Sequence, residues 1–262
     1  MNIHPTAIID PKAELADDVE VQAFSIVGPH VRIGAGTIVG PHCVIEGRTI
    51  LGERNRLYSG AQVGVVSQDL KQKPECIGRL EIGSGNVIRE HATISASTMS
   101  SYEEEHRVTT IGDNCLLMTC AHVGHDCSVG DHVILANCVA LAGHVKVEDR
   151  AIIGGLSAIH QFCVVGRLAM IGGLSRVWHD APPYMIIDGN PARCKGPNTV
   201  GLQRNGLTDD ARSAIKTMYK IMFRSTLNTT QAIHEIEATV EDCPERSHFL
   251  DFIGNSIRGI TK

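Results

Sequence analysis

Basic residues, aromatic rings and long apolar runs are all scarce in this sequence. The formal net charge is −5 at pH 7, and Phe, Trp and Tyr together make up 4% of the residues. A nucleic-acid-binding domain normally carries a basic patch, and a surface that stacks bases needs aromatic rings. We therefore expect no nucleic-acid partner. No apolar run approaches the roughly 20 residues of a membrane-spanning helix, so we also expect no stable membrane insertion.

Secretion signals and paired cysteine motifs are missing as well. The first residues read MNIHPTAIIDPKAELADD, without the cationic start and apolar core of a signal peptide. The nine cysteines are odd in number and include no CxxC motif. This usage is typical of free thiols in a reducing compartment rather than of disulfides. We therefore expect a cytoplasmic protein.

Branched aliphatic residues recur at every sixth position along most of the chain. The series runs from Ile3 to Val63, resumes from Ile82 to Ile94, and resumes again from Ile111 to Val177. A period of six fits neither an amphipathic helix nor an alternating strand. It is the period of a hexapeptide parallel β-helix, in which each hexad forms one short strand and one corner. We predict a mainly β fold, a parallel β-helix over residues 1–187.

Three hexads make one triangular coil, so residues 18 apart should stack along one face. The fifth place of a hexad is usually small, and Cys43, Cys115, Cys127 and Cys163 occupy it. We expect these thiols to be small core residues. Glycine often follows the aliphatic anchor, and we expect it to adopt positive φ at the turns.

Two insertions interrupt the repeat, near residues 69–81 and 99–110. When both are treated as loops, Val63, Ile94 and Val123 fall on one face, and both loops leave the same edge of that face. Loops inserted into a regular scaffold are usually functional. Two loops that converge on one edge therefore predict a cleft.

The period ends after Val177, and the remainder reads as helical. A Pro- and Gly-rich connector leads to helices that we expect to begin at Thr208, at Thr229 or Thr230 as the cap, and at Pro244. We predict a small C-terminal α-helical domain over residues 188–262. A domain of this size buries little core alone, so it should pack on a neighbour. The flat faces of the solenoid favour a homo-oligomer.

A histidine cluster lies on the same edge as the insertions. His125, Gly143 and Gln161 are 18 residues apart and form one column, which His144 and His160 flank. An imidazole is the natural base for a sugar hydroxyl, and the adjacent Asp126 is placed to fix its tautomer. A backbone N–H at Gly143 is a candidate oxyanion donor. Isolated corner histidines such as His132 receive no role.

Two other interpretations of this cluster remain open at this point. Hexapeptide carbonic anhydrases bind zinc through two close histidines separated by four residues, whereas His122 and His125 are separated by two. We therefore expect no metal and no cofactor. A purely structural solenoid is the other interpretation, but it leaves the two converging insertions unexplained.

Several motifs resemble one family of hexapeptide acyltransferases, over almost the whole chain. They are QDLK at 68–71, AHVGHDC at 121–127, LAGHV at 141–145, IGG at 153–155, IHQFC at 159–163, PPY at 182–184 and GLQRNG at 201–206. This family is the acyl-carrier-protein–UDP-N-acetylglucosamine O-acyltransferases of lipid A biosynthesis. The resemblance implies left-handed winding, a homotrimer with active sites between subunits, and the partners acyl carrier protein and UDP-N-acetylglucosamine.

The resemblance also implies residue roles. His125 would be the general base on the glucosamine 3-hydroxyl, which attacks the thioester of an (R)-3-hydroxyacyl chain, and Gly143 would supply the oxyanion donor. The implied substrate contacts are Asp69, Lys71, His122 and Gln161 for the sugar nucleotide, His144 and His160 for the acyl chain and sugar, and Asn198 and Arg204 for the phosphates or uridine. Met170 and Gly173 would set acyl length, and the glycine favours a longer chain over a very short one.

The sequence departs from the family pattern at a few positions. Ser95 stands where the family has a substrate-contacting histidine, Val200 replaces a glutamate, and Asn205 replaces an arginine. These departures leave two alternatives open. The first is a paralogue that N-acylates a 3-amino UDP-sugar. The second is a non-catalytic module that binds the sugar nucleotide or the carrier protein.

Overall fold

The chain winds through three parallel sheets, which form the sides of a triangular prism. The computed structural model describes residues 1–73, 75–98 and 107–262. Up to residue 177, successive strands enter sheets A, B and C in turn, so each strand is hydrogen-bonded to the strands one coil before and after it. The turns therefore form three edges along the prism, which we call the A–B, B–C and C–A edges after the sheets they connect.

Most strands are only two residues long, because each hexad also has to supply a corner. Sheet A contains β1 (Asn2–Ile3), β4 (Glu20–Val21), β7 (Ile38–Val39), β10 (Arg56–Leu57), β13 (Val87–Ile88), β16 (Leu116–Leu117), β19 (Ile134–Leu135), β22 (Ile152–Ile153), β25 (Met170–Ile171), β27 (Met185–Asp188) and β28 (Arg193–Pro197). Sheet B contains β2 (Ile8–Ile9), β5 (Ile26–Val27), β8 (Val44–Ile45), β11 (Gln62–Val65), β14 (Thr93–Ser95), β17 (His122–Val123), β20 (Ala140–Leu141), β23 (Ala158–Ile159) and β26 (Arg176–Val177). Sheet C contains β3 (Glu14–Leu15), β6 (Arg32–Ile33), β9 (Arg48–Leu51), β12 (Arg79–Ile82), β15 (Thr109–Ile111), β18 (Ser128–Val129), β21 (Lys146–Val147) and β24 (Val164–Val165).

The register between coils follows the predicted spacing of 18. Val123 pairs with Leu141, and Leu141 pairs with Ile159. The predicted face that joins Val63, Ile94 and Val123 is also confirmed. Each anchor points into the prism and is at most 3% exposed from Val21 onward. The core is therefore a set of aliphatic ladders, one along each sheet.

The prediction that glycines after the anchors adopt positive φ is wrong for most of them. Gly64 has a φ of +75°, but Gly34, Gly40 and Gly154 do not lie in the left-handed region. A Cβ at Gly40 would lie 2.6 Å from the Leu57 carbonyl oxygen of the next coil. These glycines are needed because successive coils approach closely. The left-handed position lies three residues after the anchor, where His42 has a φ of 58°.

Both insertions leave the B–C edge. The first runs from 66 to 78 between β11 and β12, a shift of three residues from the predicted 69–81. The second follows β14 and ends before β15, but residues 99–106 of the predicted 99–110 lie outside the described residues. The acidic run from Glu103 to Glu105 in the sequence falls in that gap. The roots of both loops are therefore one coil apart on one edge.

The C-terminal segment contains α1 (Thr199–Arg204), α2 (Asp209–Arg224), α3 (Thr229–Thr239) and α4 (Pro244–Gly254). Thr208 and Pro244 begin their helices as predicted, but α3 is capped by Asn228 in a capping box, so the threonine caps were wrong. The short α1 was not predicted. Because β28 pairs with β27, the sheet continues beyond residue 188. The division into domains at 187/188 stays a prediction.

A buried polar cluster attaches the helices to the prism. The Nδ1 atom of His248 in α4 lies 2.8 Å from the Tyr184 hydroxyl, and its Nε2 lies 3.0 Å from Glu148. Burial raises the pKa of the Tyr184 hydroxyl, which therefore stays protonated. None of the described helices combines the length and apolarity that a bilayer crossing requires.

The cysteines at the fifth hexad position are buried, as predicted. Cys43, Cys115, Cys127 and Cys163 are at most 1% exposed, and all are free. Burial raises the pKa of Cys43 to about 11 and that of Cys127 to about 12. These thiols therefore remain protonated at neutral pH and act as small core side chains.

Replacing one ladder anchor should destabilise the prism measurably. Leu141→Ala removes a fully buried side chain whose neighbours Val123 and Ile159 cannot close the gap without shifting their coils. We expect a loss of about 2–5 kcal/mol in the free energy of unfolding, measured by urea titration. Leu156→Ala is the control, because Leu156 is 63% exposed on a corner and should change stability by less than about 0.5 kcal/mol. Equal effects of the two substitutions would contradict this account of the core.

Candidate active site

His125 and Asp126 form a hydrogen-bonded pair on the B–C edge. The Nδ1 atom of His125 lies 2.7 Å from Oδ2 of Asp126. Asp126 lies three residues after the anchor Val123 and has a φ of 58°, which turns its side chain out of the prism and towards the histidine. A carboxylate accepts a hydrogen bond only from a protonated nitrogen, so Nδ1 carries the proton. Nε2 is then left with a free lone pair.

Hydrogen bonds with Thr98 and Thr109 fix the position of Asp126. Its side chain is 7% exposed, and Oδ2 also accepts a hydrogen bond from the Thr98 backbone N–H at 3.3 Å. The backbone N–H of Asp126 donates to Oγ1 of Thr109 at 2.8 Å. Oδ1 is buried and has no hydrogen-bond partner within the described part of the chain. The residues that flank the second insertion therefore fix the orientation of the dyad.

Gly143 lies directly beneath the imidazole. A Cβ at this position would lie 2.4 Å from both Cε1 and Nε2 of His125, so only glycine leaves room for the ring. The carbonyl of Gly143 accepts a hydrogen bond from Phe162 at 3.3 Å. Its N–H donates to no acceptor among residues 1–73, 75–98 and 107–262. The column of His125 and Gly143 predicted from the spacing of 18 therefore brings a base and a free N–H together.

Asp69 brings the first insertion to the other side of the imidazole. Its Oδ2 lies 4.0 Å from Nε2 of His125, and its side chain is 27% exposed. Its own backbone N–H donates to Oγ of Ser67 at 3.1 Å. Ser67 Oγ in turn lies 2.5 Å from Oγ1 of Thr98, and both residues are buried. The hydrogen bond between Ser67 and Thr98, which we call the clasp, thus connects Asp69 to Asp126, because Ser67 accepts from Asp69 and Thr98 donates to Asp126.

His144 and His122 complete the histidine cluster on opposite sides. The ring of His144 meets that of His125 edge-on, with centroids 5.1 Å apart, and stacks on Phe162 at 4.6 Å. His122 lies on the outer face of sheet B, where its Nδ1 is 2.7 Å from Oγ1 of Thr93. Burial lowers the pKa of both His122 and His144 below the ordinary value. Both imidazoles are therefore neutral at pH 7.

Three further predicted substrate contacts lie at the surface of this edge. Lys71 is exposed on the first insertion, next to the fully exposed Leu70, and its N–H donates to Oδ1 of Asp69. Gln161 is exposed in the column below Gly143, and His160 is exposed beside it, with its ring parallel to Trp178 at 6.1 Å. The B–C edge therefore gathers Asp69, Lys71, His122, His125, Asp126, Gly143, His144, His160 and Gln161.

The remaining predicted residues lie on other edges of the same chain. Met170 is on sheet A, as the first residue of β25, and Gly173 is at the A–B edge, in the turn from sheet A to sheet B. Asn198 caps α1 and donates to the Leu168 carbonyl at 2.9 Å, which places it at the C–A edge. Arg204 is exposed at the end of the same helix. One subunit alone therefore does not bring these four residues to His125.

Asn198 also has a structural task that was not predicted. Asn198 is 9% exposed. Its Oδ1 accepts a hydrogen bond from the Gly201 N–H at 3.1 Å, and its Nδ2 donates to the Leu168 carbonyl oxygen. A ligand contact through this side chain would have to share these bonds. Ser95, which replaces the family histidine, is 1% exposed and pairs with Val65. The substitution therefore places a small buried residue at the root of the second insertion.

Ser67, Thr98 and Thr109 were missed by the sequence reasoning. Their hydroxyls or amides position Asp69 and Asp126, yet none of them belongs to a recognisable spacing pattern. Their one signal is position, because each lies at the root of an insertion. Phe162 was quoted only as part of a motif, and its stacking on His144 became evident in the structure.

One group near the dyad has the composition of a metal site. Among the described residues, His125, Asp126 and His144 each offer a ligand atom, and these atoms lie within 4.8 Å of one another. His122, which the sequence paired with His125 as a possible zinc ligand, is not in this group.

Removing the clasp should loosen the first insertion without disturbing the prism. In Ser67→Ala the backbone N–H of Asp69 and the hydroxyl of Thr98 both lose their buried partner. We expect faster hydrogen–deuterium exchange in residues 66–73 and 75–78, by about tenfold, with little change in the coils. Ser213→Ala on the exposed side of α2 is the control and should leave this exchange unchanged. Unaltered exchange in Ser67→Ala would show that the clasp does not hold the loop.

Comparisons with known proteins identify the family of the chain. Residues 180–261 match the family described as Udp N-acetylglucosamine O-acyltransferase, Domain 2, and residues 12–47 and 109–143 match Bacterial transferase hexapeptide (six repeats). A protein of Trichlorobacter lovleyi named acyl-[acyl-carrier-protein]–UDP-N-acetylglucosamine O-acyltransferase is 52% identical over 266 residues, with 100% of both chains covered. A protein of the same name from Syntrophobacter fumaroxidans is 45% identical over 263 residues, again with 100% of both covered.

A solved structure gives the same result. The crystal structure of UDP-N-acetylglucosamine O-acyltransferase from Moraxella catarrhalis superposes with a TM-score of 0.94 at 39% identity, and 100% of each chain is covered. The predicted fold class, a left-handed parallel β-helix with C-terminal helices, is thereby confirmed. The chain belongs to the family of acyl-[acyl-carrier-protein]–UDP-N-acetylglucosamine O-acyltransferases and is an acyltransferase.

Proposed function

We propose that this enzyme transfers an (R)-3-hydroxyacyl chain from acyl carrier protein to the 3-hydroxyl of UDP-N-acetylglucosamine, the first step of lipid A biosynthesis. The observation that carries the proposal is the His125–Asp126 dyad beside the free N–H of Gly143, in a chain whose relatives are named for this reaction. The free state of all nine cysteines supports a cytoplasmic location, since disulfides persist mainly in oxidising compartments.

In this mechanism His125 acts as the general base. Asp126 accepts the Nδ1 proton and so directs the lone pair of Nε2 towards the substrate. Nε2 takes the proton of the 3-hydroxyl as its oxygen attacks the thioester carbonyl. When the tetrahedral intermediate collapses, the C–S bond breaks and the imidazolium returns the proton to the departing thiolate of the carrier protein. Proton and electron balance therefore require no metal or redox cofactor.

Gly143 supplies the oxyanion donor in the same mechanism. The thioester carbonyl oxygen becomes negatively charged in the tetrahedral intermediate, and a fixed N–H aimed at it lowers the barrier. The Gly143 N–H is unused by the described parts of the chain, and its missing Cβ lets both the imidazole and a ligand approach. Base and donor thus sit in one column, one coil apart.

The surrounding side chains are suited to the sugar nucleotide. We assign Asp69, Lys71, His122 and Gln161 to the sugar nucleotide, because these polar residues lie on the same edge of the prism as the dyad. We assign His144 and His160 to the acyl and sugar contacts, in keeping with their stacking on Phe162 and Trp178. Asp69 is the best placed of these, since its carboxylate is 4.0 Å from Nε2 and in reach of a bound hydroxyl.

The assignments on the other two edges require a neighbouring subunit. We propose a homotrimer in which Met170 and Gly173 of one subunit border the acyl groove beside His125 of the next, and Asn198 and Arg204 reach the phosphates or uridine. The outer face of sheet A supports self-association, because Leu116, Ile134, Ile152 and Met170 form one half-exposed apolar ladder. An apolar face of this kind favours burial against another copy.

A product assay with the purified protein tests the reaction. UDP-N-acetylglucosamine and its 3-amino analogue are offered separately with a panel of (R)-3-hydroxyacyl carrier proteins, and products are identified by mass spectrometry. We expect O-acylation of UDP-N-acetylglucosamine, and a loss of at least about 100-fold in His125→Ala because the base is removed. His132→Ala, at an exposed corner of the C–A edge, is the matched control and should keep its activity.

The two alternatives to this function give different results in the same assay. Transfer to the 3-amino analogue alone would identify an N-acyltransferase, for which Ser95 and Val200 are the departures to examine first. Binding of the sugar nucleotide without any product would sink the catalytic proposal. Undiminished turnover in His125→Ala would remove this histidine from the mechanism.

Mixing two inactive variants tests whether sites are shared between subunits. Gly173→Trp should block the acyl groove from the A–B edge, while His125→Ala removes the base on the B–C edge. If each site combines His125 of one subunit with Gly173 of the next, co-refolded mixtures contain about a quarter intact sites. We expect activity to return to about that fraction of wild type. Mixtures that stay as inactive as the separate variants would show that each subunit acts alone.

A further inference from the structure

We propose that His125, Asp126 and His144 form an inhibitory binding site for a divalent transition-metal ion of the zinc type. The inference goes beyond the acyl transfer above. The binding does not depend on that function, whereas the inhibition rests on the proposed role of His125 as the base. Two imidazoles and one carboxylate are the ligand types that zinc prefers, and a fourth position open to solvent completes a tetrahedral set.

The three ligand atoms lie within 4.8 Å of one another, and two of their separations are within about half an ångström of those in a zinc site. Nε2 of His144 lies 3.8 Å from Oδ2 of Asp126, and Nδ1 of His125 lies 2.7 Å from the same oxygen. Ligand atoms about 2.0–2.1 Å from a tetrahedral zinc are roughly 3.3 Å apart. One separation must close by about half an ångström, and the other must open by about the same amount.

The surroundings favour a cation at this point. The side chain of Asp126 is more than nine-tenths buried, and a metal at its Oδ2 takes the place of the His125 Nδ1 proton. The second oxygen, Oδ1, has no hydrogen-bond partner within the described residues, so the carboxylate is not fully engaged elsewhere. Asp69 adds a second negative charge, 4.0 Å from the His125 ring. His144 is 31% exposed and gives the ion a route from solvent.

Metal binding at Nδ1 has a specific consequence for the chemistry. A neutral imidazole carries one proton, which the Asp126 hydrogen bond keeps on Nδ1 in the metal-free enzyme. When a metal takes the Nδ1 lone pair, that proton moves to Nε2, and no proton is gained or lost overall. Nε2 then has no lone pair with which to accept the proton of the substrate hydroxyl. The ion therefore inactivates the base through its tautomer, even while the sugar site stays open.

Inhibition through the tautomer differs from simple competition. Zinc should lower kcat in proportion to the fraction of loaded sites, and saturating UDP-N-acetylglucosamine should not restore the rate. Magnesium prefers oxygen ligands in octahedral geometry and should have no effect at the same concentration. Chelation of the zinc should restore the full rate, because the change is a proton shift and a reversible coordination.

Direct metal binding tests the site without reference to turnover. Co²⁺ is titrated into the full chain and followed by its visible absorption, and Zn²⁺ is titrated by calorimetry. All proteins carry Cys120→Ser and Cys138→Ser, because these two exposed thiols would bind soft metals by themselves. We expect tetrahedral cobalt bands, one equivalent of zinc per chain, and a Kd at least about tenfold weaker in His144→Gln. His132→Gln is the matched control and should bind zinc as tightly as the parent.

A second variant at position 144 shows whether weaker zinc binding in His144→Gln comes from the lost ligand or from misfolding. In His144→Cys a thiolate replaces the imidazole as third ligand, so tight zinc binding should persist. Unchanged affinity in His144→Gln, or no binding by the parent protein at about 100 μM zinc, would overturn the site. Zinc inhibition that UDP-N-acetylglucosamine relieves competitively would overturn the tautomer mechanism. A protein that binds zinc as described but transfers no acyl group would contradict the proposed function and leave the metal site standing.

Discussion

The stacking of one coil on the next is the constraint on which the rest of this structure depends. Each anchor contacts the anchor 18 residues before and after it, as in the run from Val123 through Leu141 to Ile159. Packing in such a core tolerates neither a gap nor an added side chain. The position of each hexad residue is therefore fixed relative to the equivalent residues of the coils before and after it. Loops inserted at a corner leave that register unchanged.

The proposed active site depends directly on this register. His125 and Gly143 are equivalent positions of adjacent coils, so the imidazole of one lies where the side chain of the other would be. The left-handed corner residue Asp126 then completes the dyad from the neighbouring position. Ser67 and Thr98 connect the two insertions beneath it, which places carboxylates on both sides of the ring. The coils thus contribute His125, Asp126 and Gly143, and the first insertion contributes Asp69.

The same concentration of ligands around His125 creates a second property. A histidine that works as a base needs a fixed carboxylate on one nitrogen and an accessible lone pair on the other. Adding His144 next to that carboxylate gives three metal ligands within one small volume. A neutral imidazole has one free nitrogen lone pair, so metal coordination at Nδ1 leaves none at Nε2 for proton transfer. A site organised for the first is therefore exposed to inhibition through the second unless the metal is kept scarce.

The sequence alone determined the repeat, the register and the column that contains His125, because a period of six has one structural solution and a side chain in a hexad has one direction. It also located both insertions and most of the helices. It did not reveal the clasp of Ser67 and Thr98, the close approach at Gly34 and Gly40, or the cap at Asn228. These features depend on which atoms of distant residues come within hydrogen-bonding or contact distance. Only the tertiary structure placed Arg204 away from the edge of His125, because α1 lies beyond the hexad repeat, whose spacing assigns no edge to the helices.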